Sequence, residues 1–197
     1  VSQKTLKWIK TNKRLLAIGV IILLILALGI GGFFNAGGST QVSGGKIYFT
    51  SDRSGKNEIY YVDDKGDVVQ MTYSPGNSTS SGATLALSGK IYFTSDRSGK
   101  NEIHYVDDKG EVVQMTYSSG SSTSWGATPA LSGKIYFTSD RSGKNEIHYV
   151  DDKGEVIQMT YSPGNSTSSD ATPASNGKIY FTSDRSGKNE IHYVDDK

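Results

Sequence analysis

Groups able to do acid-base or nucleophilic chemistry recur at fixed spacing along this chain. A hydroxyl, two carboxylates and a guanidinium stand at Ser51, Asp52, Arg53 and Glu58, and the same set returns at Ser95 to Glu102, Ser139 to Glu146 and Ser183 to Glu190. Together they offer a nucleophile, a base and a cation. A set present in every copy of a repeat is nevertheless scaffold by default. Asp and Ser side chains brace a hairpin loop through local backbone hydrogen bonds, and an arginine can pair with a neighbouring carboxylate. Asp63, Asp64 and Asp67 around Gly66 suggest calcium, but their spacing departs from an Asp-x-Asp-x-Asp-Gly loop with its distant Glu, so turn formation is the better reading. His104, His148 and His192 replace Tyr60 in the later copies and invite a zinc reading. No Gly-x-Ser-x-Gly, His-Glu-x-x-His or phosphate-loop pattern occurs, and without cysteine a thiolate nucleophile or a disulfide framework is excluded. No catalytic residue, metal site or cofactor is therefore expected, and the chain reads as a non-enzyme.

What positions these groups is a repeat. The stretch from Gly45 to Ile59 returns letter for letter at Gly89, Gly133 and Gly177, a step of 44 residues each time. Periods in this range mark solenoids, propellers or arrays. Each copy breaks into β-type runs separated by turn residues: Lys46 to Ser51, Glu58 to Asp63, Asp67 to Thr72 and Ala83 to Ser88. Four antiparallel strands per repeat is the blade of a β-propeller. Both faces of these strands are apolar, Ile47 and Phe49 opposing Tyr48 while Ile59 and Tyr61 oppose Tyr60 and Val62, as a sheet packed between two others requires. Equivalent side chains diverge with radius in such an array. The third-strand histidines therefore read as packing between blades. Trp125 breaks the repeat, since Ser81 and Ser169 hold the matching positions. It is placed in the connection leading to an innermost strand, where it is the candidate ligand or partner contact, with packing between blades as the alternative.

The pattern from Lys46 through Gly66, followed by Val68-Val69-Gln70-Met71-Thr72, resembles the TolB-like (WD-repeat-like) β-propeller repeats. It carries their Ser-Asp-Arg-x-Gly turn, Glu-Ile-Tyr strand, Asp-x-x-Gly turn and a strand ending in Thr. The resemblance covers Gly45 to Lys197. One departure is the turn before the second strand, where this chain has Leu87-Ser88-Gly89 in place of a Trp-Ser-Pro-Asp-Gly type sequence. The resemblance implies a binding or scaffold propeller. It also implies an alternative: the sensor or substrate-gating part of a larger membrane protein such as a receptor kinase, a transcriptional regulator or a dipeptidyl-peptidase-like serine hydrolase.

Ahead of the repeats, residues 1–14 carry Lys4, Lys7, Lys10, Lys13 and Arg14 with no acid, and residues 15–34 run twenty positions without a charge. That length spans about 30 Å of hydrocarbon as a helix. A transmembrane anchor is expected, with a cleaved signal peptide as the competitor; Ala27 and Gly31 form a small-residue pair that could join two helices. The positive-inside rule keeps the tail cytoplasmic and sends the repeats across the membrane. Residues 35–44 read as a flexible linker whose end is also a degraded match to an inner strand.

From Lys46 onward 16 basic residues face 20 acidic ones, which argues against nucleic-acid binding. The expected partners are the bilayer and a protein or small ligand on the propeller face. The fourth copy stops inside its Asp-Asp-Lys turn, so the sequence predicts an open arc of three blades plus a partial fourth, belonging to a longer gene product and prone to pair with copies of itself.

Overall fold

The computed structural model describes residues 41–43 and 45–196. The basic tail, the expected membrane helix 15–34 and the linker as far as residue 40 lie outside the described residues. Among the described residues no helix is long and apolar enough to cross a membrane.

The described chain is all β, in four antiparallel sheets. The first contains β1 (Gln41–Ser43), β2 (Lys46–Ser51), β3 (Glu58–Val62) and β4 (Val68–Gln70); the second contains β5 (Ser80–Leu85), β6 (Ile91–Ser95), β7 (Glu102–Val106) and β8 (Val112–Gln114). The third contains β9 (Ser124–Pro129), β10 (Ile135–Ser139), β11 (Glu146–Val150) and β12 (Val156–Gln158), and the fourth β13 (Ser168–Pro173), β14 (Lys178–Ser183) and β15 (Glu190–Asp195). Strands follow sequence order within every sheet, so each connection is a hairpin. The first strand β1 falls inside the stretch expected to be linker.

The turn residues act as their chemistry dictates. Gly55 N–H closes on Asp52 O at 2.8 Å with φ of 97°, a backbone that only glycine adopts without strain. At the next turn one carboxylate oxygen, Asp63 Oδ1, accepts from the N–H groups of Lys65 and Asp67 at 3.0 and 2.9 Å. Those bonds commit this acid to an Asx-type turn.

The innermost strand runs from Ser80 to Leu85, three residues earlier than the sequence pattern suggested, and the same shift places Trp125 within β9 and not in the connection before it. Two features explain it. Ser80 N–H is held by Asn57 O at 2.8 Å, which pulls the polar residues into the sheet. The register then slips between Ser81 and Thr84 as Gly82 takes a φ of 68°, so a bulge absorbs the glycine that reads as a turn.

The core consists of three seams between consecutive sheets, in series. Tyr48 and Ile59 of the first sheet pack on Ala83, Ile91, Phe93 and Val106 of the second. Tyr92 and Ile103 then meet Ala127, Ile135, Phe137 and Val150, and Tyr136 and Ile147 meet Ala171, Ile179 and Phe181. The second and third sheets therefore each have a Tyr/Ile face and an Ala/Ile/Phe face, and unlike faces mate head to tail at every seam. Full burial of Ile59, Ile103 and Ile147 contributes about 1.5–3 kcal/mol each.

Candidate functional site

The recurring polar set does not converge on one site. It divides between consecutive junctions, the glutamate of one repeat and the arginine of the next meeting at the same serine. Glu58 is fully buried and accepts from Thr72 Oγ1 at 2.6 Å, from Ser74 N–H at 2.7 Å and from Ser74 Oγ at 3.0 Å. From the next sheet, Arg97 donates to Ser74 Oγ at 3.2 Å and to Ser80 Oγ at 3.0 Å, with its guanidinium over the Phe93 ring. Ser95, Asp96 and Arg97 thus serve the seam with the first sheet, whereas Glu102 serves the seam with the third. The same bonds recur around Glu102 and Arg141, where Ser118 replaces Ser74, and around Glu146 and Arg185, where Ser162 does. The arginine meets hydroxyls where a carboxylate partner was expected, because the serines reach it first and bridge to the glutamate. Burial lowers the pKa of Arg97 and Arg141, and the Glu58 and Glu102 carboxylates respectively act the other way.

His104 and His148 lie on the third strand of their sheets, buried and stacked on Phe93 and Phe137 with ring centroids 5.9 and 5.8 Å apart. Their Nδ1 atoms are 3.1 Å from the Glu102 and Glu146 carbonyl oxygens. Burial lowers both pKa values and the backbone contact opposes it. These rings pack against a cross-strand partner on a face that meets the preceding sheet, an inter-blade packing role.

The inner strands are where the repeats differ. Trp125 is half-buried on β9 and stands opposite Thr138 in the register. Cross-strand partners present their side chains on the same face of the sheet. On that face Thr138 Oγ1 accepts from Asp170 N–H of β13 at 3.2 Å, so Trp125, the register partner of Thr138, and Asp170, its donor, meet at the seam between the third and fourth sheets. At the preceding seams the corresponding bonds come from Gly82 to Thr50 and from Gly126 to Thr94. Asp170 is exposed, receives Ser169 Oγ on Oδ2 at 2.7 Å and has a φ of 59°, in the left-handed region held elsewhere by glycine. Sequence reasoning did not single out Asp170, although its alignment with Gly82 and Gly126 was a visible signal. Nor did it single out Tyr73, Tyr117 and Tyr161, equivalent residues that are exposed beside the inner-strand entrances.

No family model matches the sequence, and no curated protein matches it either. Solved structures do match. TolB from Acinetobacter baumannii is similar at 26% identity and a TM-score of 0.63, over 77% of this chain and 38% of that one. Virginiamycin B lyase from Staphylococcus aureus is similar at 20% identity and a TM-score of 0.59, over 79% of this chain and 54% of the lyase. A Mycobacterium tuberculosis puromycin-hydrolyzing peptidase is similar at 12% identity and a TM-score of 0.63, over 85% of this chain and 28% of the peptidase. The chain thus spans well under two thirds of each, and the last two likenesses bear on fold alone. With the repeated sheets and the turns described above, the described residues are all-β, built as repeated β-propeller-type blades similar to those of TolB.

Proposed function

We propose that the chain is a membrane-anchored, extracytoplasmic binding or scaffold module, with its contact surface on the inner strands and no chemistry of its own. One observation carries this reading. The seams repeat nearly bond for bond from blade to blade, whereas the inner strands carry a tryptophan at one of three equivalent positions, Ser81, Trp125 and Ser169. A rigid, uniform frame with a single aromatic departure is the arrangement of a binding surface. The Ser and Glu groups of nucleophile and base type are engaged with one another and with the arginines in the seams. Anchoring and topology rest on the uncharged run 15–34 and the five cations before it. The exposed face of β15, with Ile191 and Tyr193 uncovered, supports self-association or the packing of a further blade.

The alternative is a gating or sensor propeller within a larger protein. The test is turnover and topology together. Purified full chain is expected to show no hydrolysis of peptide nitroanilides or esters above a mock preparation, and protease added to right-side-out vesicles is expected to remove the repeats but spare the tail. Hydrolysis that co-purifies with the chain to constant specific activity would overturn the non-catalytic reading; repeats that stay protected until the membrane is opened would reverse the topology.

A further inference from the structure

We propose that Trp125 and Asp170 form a site for a cationic group, a guanidinium or alkylammonium, in the groove between the inner strands of the third and fourth blades. The inference deepens the binding reading by naming the ligand chemistry. Three observations converge on it. First, the pair occupies the same seam: Asp170 N–H donates to the hydroxyl of Thr138, the cross-strand partner of Trp125. Second, no other described seam has either group, since Ser81 with Gly126 occupies the equivalent place between the second and third blades. Third, Asp170 adopts a left-handed backbone that both sister blades give to glycine, whose substitution by a larger residue meets no steric obstacle from neighbours but does meet backbone strain. A carboxylate held in that conformation on an exposed inner strand serves no bond of the seam other than the one its backbone makes. Among the described residues its carboxylate is bonded by the adjacent Ser169 alone.

An indole face beside a carboxylate is complementary to a delocalised or methylene-bearing cation. The ring attracts the positive charge through its quadrupole while the carboxylate accepts charge-assisted hydrogen bonds. A guanidinium suits both at once, because its plane stacks on the ring and its edge carries the donors. A neutral or anionic ligand would use the indole and leave the carboxylate unanswered.

The chain contains two tryptophans, Trp8 and Trp125, so the full chain with Trp8→Phe reports on this site alone by fluorescence. Titrating detergent-solubilised W8F chain with agmatine and, separately, with blocked Gly-Arg-Gly and Gly-Glu-Gly peptides is expected to give saturable changes with the first two only. Tighter response to the peptide assigns the cation to a partner chain, and tighter response to agmatine assigns it to a free amine; either supports the site. Asp170→Gly is the decisive variant, since it removes the carboxylate and relieves the strained backbone. It should weaken the cation response by about tenfold or more, the share expected of one charge-assisted contact, while the melting temperature holds or rises. A parent chain silent to both cations, or a D170G response equal to the parent's, overturns the proposal. If the acidic peptide alone perturbs Trp125, the cation site is wrong while the binding-module reading survives; the turnover test above is what would remove that reading.

Discussion

Glu102 and Glu190 are the same residue in the same strand context, and they live in different worlds. The Glu102 side chain is 1% exposed and gathers Thr116, Ser118 and the reach of Arg141 around it, whereas that of Glu190 is 42% exposed and binds only Ser186 and Lys188 nearby. One residue further on, Ile103 is fully buried and Ile191 is 71% exposed. Identical letters acquire a core role only when a following inner strand covers them and an outer-strand segment supplies the donors. The unit of stability in this array is therefore the seam and not the repeat, as expected when each unit contacts only its neighbours.

The widest gap should appear at the glutamates themselves. Glu102→Leu leaves two hydroxyls and an N–H without their acceptor in a buried seam, and is expected to cost about 3–5 kcal/mol in urea unfolding. Glu190→Leu should stay within about 0.5 kcal/mol. Equal losses at both would mean that the fourth sheet's outer face is covered in solution. A smaller contrast is expected between the arginines. Arg97 ties Ser74 of the preceding connection to Ser80 of its own sheet, while Arg53 bonds Ser51 and lies over Phe49 and Tyr60 of its own sheet. Arg97→Met should therefore cost about 1–3 kcal/mol and Arg53→Met about 0.5 kcal/mol or less, compared in one denaturant series.

Much of this architecture is legible in the letters, and the failures share one cause. The repeat step and alternating apolar faces place β2, β6, β10 and β14 well because those runs are β-branched and aromatic. Ser80, Ser81 and Gly82 read as connection for the opposite reason, being small and polar, yet they enter the sheet because Ser80 lies 2.9 Å from Ser74 Oγ and takes Arg97 of the next repeat. The arginine's partner was hidden likewise, since Ser74 lies 23 residues upstream in the connection between β4 and β5. Asp170 is informative only once Gly82 and Gly126 are seen in the same left-handed bulge. Local patterns reveal strands; contacts across a seam require knowing which faces mate.

The smallest expected effect concerns acid. Burial lowers the pKa of His104 and His148 below the free value of about 6.5, so the unfolded chain takes up protons that the folded chain refuses. Their contribution is therefore fully present above about pH 6.5 and lost as the pH falls through the folded-state values. Tyr60 fills the same place in the first sheet, stacked on Phe49. The double variant His104→Tyr and His148→Tyr should flatten the decline in urea midpoint between pH 7 and 5. An unchanged slope would assign the acid sensitivity to other groups.

Because the mating faces are built from the same letters at every junction, the seam has a consequence for heredity. Glu58, Thr72, Ser74, Ser80, Ser95 and Arg97 recur 44 residues later as Glu102, Thr116, Ser118, Ser124, Ser139 and Arg141, and again as Glu146, Thr160, Ser162, Ser168, Ser183 and Arg185. An unequal exchange between two such copies in the gene, removing or adding one period in frame, joins a Tyr/Ile face to an Ala/Ile/Phe face with every bridging hydroxyl in place. Blade number can thus drift by whole units without a new interface having to evolve. The feature exposed to such an exchange is the one that is not periodic: a deletion running from within the third inner strand to the same point of the fourth would remove Trp125 or Asp170, or join the two in one strand, while leaving the frame intact.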